Sequence, residues 1–410
     1  MEVTRRRIVA AGAAALGGAL VGTALWDDHL LCPEPTEPTW SLDDAEALQS
    51  MHFGYWGPPV LAADAAYVTQ GHGIVAGGSG VLARVDRESG AVRWTVDREP
   101  AGVGTPNAVD DVVYVPTGRN ELLALDAADG AVRWRVDAGV DGTDAGDSFA
   151  MAQPVATDAG VVVQSFQGPT AEAFDGEHVV AGVDAATGDV AWTHSLAARS
   201  RPVGVGSGDV VVAAEDGTVR RLDAATGDVR WRIDVEGTPR PVEWIEAAGT
   251  LPLVTEDGTL VGVDVAEGTT TWTASLAPTD RGFEETPTPI PSATVGGDVV
   301  VAATNAGTVV AHALQSGERR FRYAAGAPVT AVDVDPDEGV AVAMDARGFV
   351  HVLDVTDGSR TGRVPTAPRD SGETCGYRVR EEHRRMRYVT VDADAAFVAA
   401  HGMARFALPS

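Results

Sequence analysis

The chain has 410 residues, and 59 Asp and Glu against 31 Lys and Arg give a formal net charge of −28. Such a surface repels nucleic acid and anionic lipid, which argues against both as partners. Every basic residue is Arg, 44% of residues are hydrophobic, and 47 Gly with 23 Pro point to frequent turns rather than long helices. The acidic, lysine-free balance suits solubility in concentrated salt, as in extreme halophiles.

Residues 1–25 open with Thr4-Arg5-Arg6-Arg7-Ile8 and continue as an uncharged run of mainly Ala, Gly, Leu and Val to Leu25. They resemble a twin-arginine export signal. The run of about 18 apolar residues would also span a bilayer if left uncut, so a retained N-terminal membrane anchor is the alternative. Gly22-Thr23-Ala24 offers a small-residue cleavage site. Cys32 follows His29-Leu30-Leu31, which lacks the small residues of a lipobox, so lipid attachment there is the minor reading. Residues 26–39, with Pro33-Glu34-Pro35-Thr36-Glu37-Pro38, read as an extended linker. The expected location is outside the cytoplasm, extracellular or at the cell surface, with or without a tether.

From residue 40 to 410 the chain repeats itself. Each unit has an apolar strand, a turn, a second apolar strand and an acidic-Gly turn, then an Asp, a Gly four residues on and a Trp four further. It occurs as Asp86/Gly90/Trp94, Asp126/Gly130/Trp134, Asp184/Gly188/Trp192, Asp223/Gly227/Trp231 and Asp264/Gly268/Trp272. Two degraded copies follow, Ala313/Gly317/Phe321 and Asp354/Gly358/Gly362, and the glycines step by 40, 58, 39, 41, 49 and 41 residues. Such a period marks a repeat architecture.

The spacing predicts four-stranded antiparallel blades, with strands A to D running outward from an axis. Short apolar runs such as 210–214 (VVVAA), 299–303 (VVVAA) and 340–344 (VAVAM) read as inner strands buried between blades. Glu215-Asp216-Gly217 and Glu256-Asp257-Gly258 read as tight B–C turns in which Gly takes positive φ. In the C–D turn the Asp carboxylate can accept backbone amides, the Gly relieves a Cβ clash, and the Trp can wedge against a neighbouring blade.

At these residues a family comes into view. Leu222-Asp223-Ala224-Ala225-Thr226-Gly227-Asp228-Val229-Arg230-Trp231 resembles the tryptophan-docking repeat of PQQ-like β-propellers. The resemblance implies an all-β propeller of seven or eight blades. The class it points to holds both quinoprotein dehydrogenases and non-enzymatic scaffolds, among them the lipoprotein subunit of the bacterial outer-membrane β-barrel assembly machinery.

The chain ends favour eight blades over seven. Residues 388–408 supply A, B and C strands with turns at Asp392-Ala393-Asp394 and His401-Gly402, and no fourth strand follows. Thr39-Trp40-Ser41 resembles the close of a D strand, so an N-terminal strand completing the last blade would remove two exposed edges. Trp40 thereby joins Trp94, Trp134, Trp192, Trp231 and Trp272 as a structural residue of the repeat. Cys32 and Cys375 would flank this closure. A disulfide between them would contribute roughly 4 kcal/mol in an oxidising compartment, and two unpaired thiols are the alternative.

A–B and C–D turns of a propeller leave one face, B–C turns and D–A crossovers the other. All loops on the first face are expected to be short. The inserts 49–59, 137–153, 166–178, 278–289 and 364–387 fall on the second. They bring His52, Phe53, Tyr55, Trp56, Phe149, Phe166 and Phe283 to that face, with Met51, Met151, Phe174 and an arginine cluster that includes Arg384 and Arg385. Aromatic residues, Met and Arg are enriched in interface cores, so a partner-binding face is expected there. The competing readings are that the aromatics pack the loops down and that the arginines pair with Glu381 and Glu382.

No catalytic or metal constellation emerges. Gly71-His72-Gly73-Ile74-Val75-Ala76 mimics a dinucleotide fingerprint but reads as an A–B hairpin with no following helix. Asp333, Asp335 and Asp337 mimic a calcium loop, yet Gly339 comes one place late and no Glu closes it, so they read as the A–B turn of the seventh unit. The nine His show no zinc spacing. Quinoproteins of the resembling class commonly use an adjacent cysteine pair and calcium held by Glu and Asn. Here the cysteines lie far apart, and Asn120 and Asn305 fall in B–C turns. The expectation is an exported, non-enzymatic, protein-binding or assembly scaffold at the cell envelope with no cofactor. A PQQ- and calcium-dependent dehydrogenase is the alternative.

Overall fold

The structure is a computed structural model that describes residues 36–42, 56–71, 80–98, 102–118, 120–137, 152–167, 178–204, 208–242, 249–276, 292–304, 306–366, 388–399 and 402–409. Its strands form eight four-stranded antiparallel sheets, and no helix occurs among the described residues. Blades 1 to 7 follow the chain over residues 60–98, 107–137, 155–196, 200–234, 239–275, 292–324 and 329–365. Blade 4 is representative: Ser200–Gly204, Asp209–Ala214, Thr218–Asp223 and Val229–Asp234 are its strands A to D. First strands of successive blades contact one another, so strand A is innermost.

Blade 8 takes strands A to C from Tyr388–Asp392, Ala395–Ala399 and Met403–Ala407, and its outer strand from Trp40–Ser41. Trp40 pairs with Arg405 and Ser41 with Ala404. The amides of Thr39 and Leu42 extend the ladder, donating to the carbonyls of Arg405 and Met403 at 2.7 and 2.8 Å. The fold is an eight-bladed β-propeller closed by an N-terminal strand, which resolves the seven-or-eight alternative.

The core is distributed around the ring. Eight apolar clusters each join one blade to the next. Strand B of each blade is covered on both sides, which is why 210–214 reads as a continuous apolar run and Asp209–Ala214 is buried throughout. Strand D lies at the rim, and Val229–Asp234 alternates between exposed and half-buried positions.

The repeat motif fastens these seams. Trp192 Nε1–H of blade 3 donates to the Ala224 carbonyl of blade 4 at 2.7 Å. Trp94, Trp134, Trp231 and Trp272 make the equivalent bond to Ala127, Ala185, Val265 and Leu314 at 2.7 to 3.0 Å. Trp40 closes the ring by donating to Arg87 O of blade 1 at 3.0 Å. In every case the acceptor follows the first residue of the Asp/Gly/Trp unit in the next blade. The motif glycine is the platform for the same ring: a Cβ on Gly227, whose φ is +77°, would lie 2.7 Å from Trp192. Glycine here thus serves the preceding blade's Trp as well as its own turn. In the degraded units Phe321 packs on Gly358, and Pro409 occupies the space beside Gly362.

Asp223 Oδ1 accepts the amides of Ala225 and Thr226 at 3.0 and 2.9 Å. This bonding, led by the Thr226 amide, holds the Asp223 carboxyl below its usual range.

Candidate partner-binding face

Hydrogen bonds fix which connections share a face. The first amide of the C–D turn donates to the A–B turn of its own blade, as in Ala224 N to Gly208 O and Val265 N to Gly249 O, both 2.9 Å. At the other end, amides of the D–A crossovers donate to B–C turn glycines: Val235 to Gly217, Leu276 to Gly258 and Thr366 to Gly348 at 2.8 Å, and Ala325 to Gly307 at 2.9 Å. The connections holding the five inserts join strand ends on this second face. Two expectations need correction. Gly71 follows strand B of blade 1, Ala65–Gln70, so 71–79 is a B–C connection on the second face. The A–B connection of blade 5 spans 242–249, so the first face is not uniformly short.

Of the aromatics placed on the second face, two are described, and both are interior. Trp56 is 4% exposed, bridges to Gln70 and packs with Trp40, Phe397 and Met403 in the seam between blades 8 and 1. Phe166 is fully buried with Tyr114, Leu122 and Val162 between blades 2 and 3. Neither ring is offered to a partner. His52, Phe53, Tyr55, Phe149, Phe283, Arg384 and Arg385 lie outside the described residues, as do Cys32, Cys375 and the whole of 1–35.

A buried polar network stiffens this face between blades 6 and 7. Asp345, the last residue of strand B of blade 7, accepts Arg347 Nε at 2.8 Å, the amides of Arg347 and Phe349 at 2.8 and 3.1 Å, and contacts His351 Nε2 at 3.1 Å. Tyr323 of blade 6 hydrogen-bonds His351 Nδ1 at 2.8 Å, and Arg347 Nη2 donates to the Ala325 carbonyl at 2.8 Å. Burial alone would raise the Asp345 carboxyl, but His351 and Arg347 outweigh it and hold it low. Desolvation lowers the His351 imidazole, with Asp345 opposing.

Near the axis two arginines emerge that the sequence reading did not single out. Arg201 is on strand A of blade 4 and Arg240 on strand A of blade 5, Pro239–Pro241. Arg201 is solvent-exposed, yet surrounding protein lowers its basicity, with Arg240 adding repulsion and Glu215 opposing. Tyr388 of blade 8, on the opposite side of the ring, is raised by burial and feels Arg201. Both residues lie on innermost strands, and the Tyr388 ring packs against the cluster of Trp40, Trp56 and Phe397 between blades 8 and 1. Their signal in the sequence is an Arg beside Pro just after a crossover, in Arg201-Pro202 and Pro239-Arg240-Pro241.

The Asp triplet is structural. Asp333 accepts Thr294 Oγ1 at 3.2 Å and the Val391 amide at 2.8 Å, and Asp335 accepts the Ala393 amide at 2.7 Å, stapling blades 6, 7 and 8. Asp335 Oδ1 also takes the amides of Asp337 and Glu338. Asn120 sits in a B–C turn at φ +59°. No group of three or more metal-ligating side chains occurs among the described residues.

Comparison with known proteins agrees with this architecture. The family described as outer membrane protein assembly factor BamB matches over residues 14–169 and 175–401. The chain belongs to this PQQ-like propeller family. A search of curated proteins returns no match. Among solved structures, BamB from Moraxella catarrhalis is 19% identical with a TM-score of 0.56, covering 85% of this chain and 94% of its own. The C-terminal WD40 domain of Sif2 is 12% identical at a TM-score of 0.65, covering 92% and 99%. Quinohemoprotein alcohol dehydrogenase from Comamonas testosteroni is 12% identical at 0.59, covering 85% and 71%. At these identities the solved structures share the fold.

Proposed function

We propose that this propeller is a non-enzymatic scaffold that binds a protein partner at the cell envelope through the face of its B–C and D–A connections. The observation that carries this reading is the asymmetry of the two faces: the five inserted connections all belong to one of them. Membership of the BamB family, whose description is an assembly factor, supports a protein-binding role. The twin-arginine-like start supports export, with the propeller outside the cytoplasm, secreted or held by a retained N-terminal segment. The burial of Trp56 and Phe166 narrows the aromatic contact set to His52, Phe53, Tyr55, Phe149 and Phe283, with Arg384 and Arg385 beside them. In this reading the protein works without PQQ or calcium. Engagement of Asp333 and Asp335 by backbone amides supports that, because it leaves those carboxylates poorly placed to ligate a cation.

The test is capture from cell-envelope extracts on immobilised protein at the salt concentration that keeps it folded. Tyr55→Ala with Phe283→Ala is expected to lose the captured partner while melting like the parent. Retention of every captured protein by that variant would overturn the proposed face. A saturable, calcium-dependent uptake of PQQ by the same immobilised protein would overturn the cofactor-free reading.

A further inference from the structure

We propose that the seam between blades 6 and 7 is an acid-operated switch in the ring: a proton on His351 loosens it while the tryptophan-fastened seams hold.

The eight seams are not alike. Six carry an indole that donates to the next blade, from Trp40, Trp94, Trp134, Trp192, Trp231 and Trp272. On either side of blade 7 that bond is missing. Phe321, which has no N–H, stands in the Trp position of blade 6, and Gly362 stands in that of blade 7. Polar residues gather at the seam between blades 6 and 7 instead. Asp345 stands three residues before the B–C turn glycine, where blades 4, 5 and 6 have Ala214, Thr255 and Thr304. His351 stands where their third strands have Arg220, Val261 and Val310, and Tyr323 where the outer strands of blades 4 and 5 have Ile233 and Ala274. The three polar replacements coincide where the indole is lost.

Their hydrogen bonds suit a neutral imidazole. With Asp345 ionised, its carboxylate only accepts, so His351 Nε2 carries the hydrogen that reaches Oδ2 at 3.1 Å. Nδ1 is then an acceptor, and the Tyr323 hydroxyl donates to it from blade 6 at 2.8 Å. A second proton on the ring occupies Nδ1, so the phenol can no longer donate there and its own hydrogen must turn to another acceptor. The new charge would sit on a side chain that is 1% exposed, where water does not hydrate it. Among the described residues, the ionisable groups around the imidazole are Asp345 on strand B, Arg347 in the B–C turn, Arg363 opposite it on strand D and Tyr323 of blade 6. Desolvation is the chief obstacle to the proton; Asp345 favours it, and Arg347 and Arg363 oppose it. Opening the seam to water removes that obstacle, so the open form takes up the proton and is favoured in acid. The same turn carries the effect further. Arg347 Nη2 donates to the Ala325 carbonyl at 2.8 Å, and Gly348 O accepts the amide and the hydroxyl of Thr366 at 2.8 Å, where strand D of blade 7 ends. The switch belongs to the ring and works whether or not a partner is bound.

The test is hydrogen exchange of the full chain at fixed salt between pH 7 and 5, corrected for the intrinsic pH dependence of exchange. The amides of Arg347, Phe349 and Thr366, which the network holds, are expected to open more readily by up to about tenfold per pH unit, the slope for one proton taken up. The amides of Val235 and Leu276, which make the bond equivalent to that of Thr366 in blades 4 and 5, should stay level. His351→Gln keeps a donor and an acceptor but does not titrate, and is expected to flatten the response of the three amides. An unaltered response in that variant, or an equal rise at Val235 and Leu276, overturns the proposal. Should His351→Gln fail to fold, Tyr323→Phe gives a second reading. Removing the phenol alone should raise exchange of the same three amides at pH 7 by up to about tenfold, one lost hydrogen bond, and no change there would also overturn the switch.

Discussion

At Gly227 two demands meet on one residue: a left-handed backbone and a face flat enough for the Trp192 ring. Gly160 has a similar φ of +70° but nothing within 4 Å of an added Cβ. The pair separates the two costs. Gly227→Ala is expected to destabilise by roughly 2 to 4 kcal/mol, combining backbone strain with displacement of the indole. Gly160→Ala should cost only the strain, roughly 1 kcal/mol. Denaturant midpoints of the two variants measure the difference, and equal losses would refute the platform role. At this scale the sequence was informative, because Asp, Gly and Trp recur at fixed offsets within one short segment. It did not reveal that each glycine serves the Trp of the preceding blade, since that ring arrives from more than thirty residues upstream, as Trp192 does for Gly227.

Among strands, the N-terminal one carries an unusual share of the architecture. Two ladder residues, Trp40 and Ser41, complete blade 8, and the Trp40 ring packs on Gly90 of blade 1. The Arg87–Asp392 ion pair and the Thr390 hydroxyl, which donates to Pro59 O at 3.2 Å, fasten the same seam. Trp40→Ala should remove roughly 3 to 5 kcal/mol and open this seam before any other. Hydrogen exchange checks the order: amides of Met403–Ala407 are expected to lose protection first, and uniform loss around the ring would contradict a weak closure. Strand number was readable from the two unmatched chain ends. Strand identity in blade 1 was not. Its inner strand is only Val60–Leu61, too short to show periodicity, so the next apolar run took its place and 71–79 was assigned to the wrong face.

The whole molecule should be acid-sensitive through its buried histidines and its turn carboxylates. His178, His312 and His351 are each lowered from 6.5, chiefly by desolvation. The unfolded chain therefore binds more protons below about pH 6.5, and stability falls as pH drops through that region. Asp184, Asp223, Asp345 and Asp354 are lowered from 3.8. Their contribution is present above that value and is lost as pH falls below it towards their folded pKa values. Melting temperature at fixed salt is expected to decline between pH 7 and 5 and more steeply below pH 4. A flat profile from pH 7 to 5 would show that the buried histidines titrate freely.

The sequence by itself determined the repeat and the resemblance to the family and favoured eight blades with a closing strand, because these rest on local spacing and on strands left without partners, while the structure decided between seven and eight. Which side chains face outward, and which charges meet, was decided only by the ring. Trp56 and Phe166 looked like surface aromatics because they stand at or beside irregular connections, yet neighbouring blades cover them. Asp333 and Asp335 read as part of a turn, but their amide partners in blade 8 lie 58 residues away. Contacts between residues so far apart in the chain depend on how the blades close, and no local pattern encodes them.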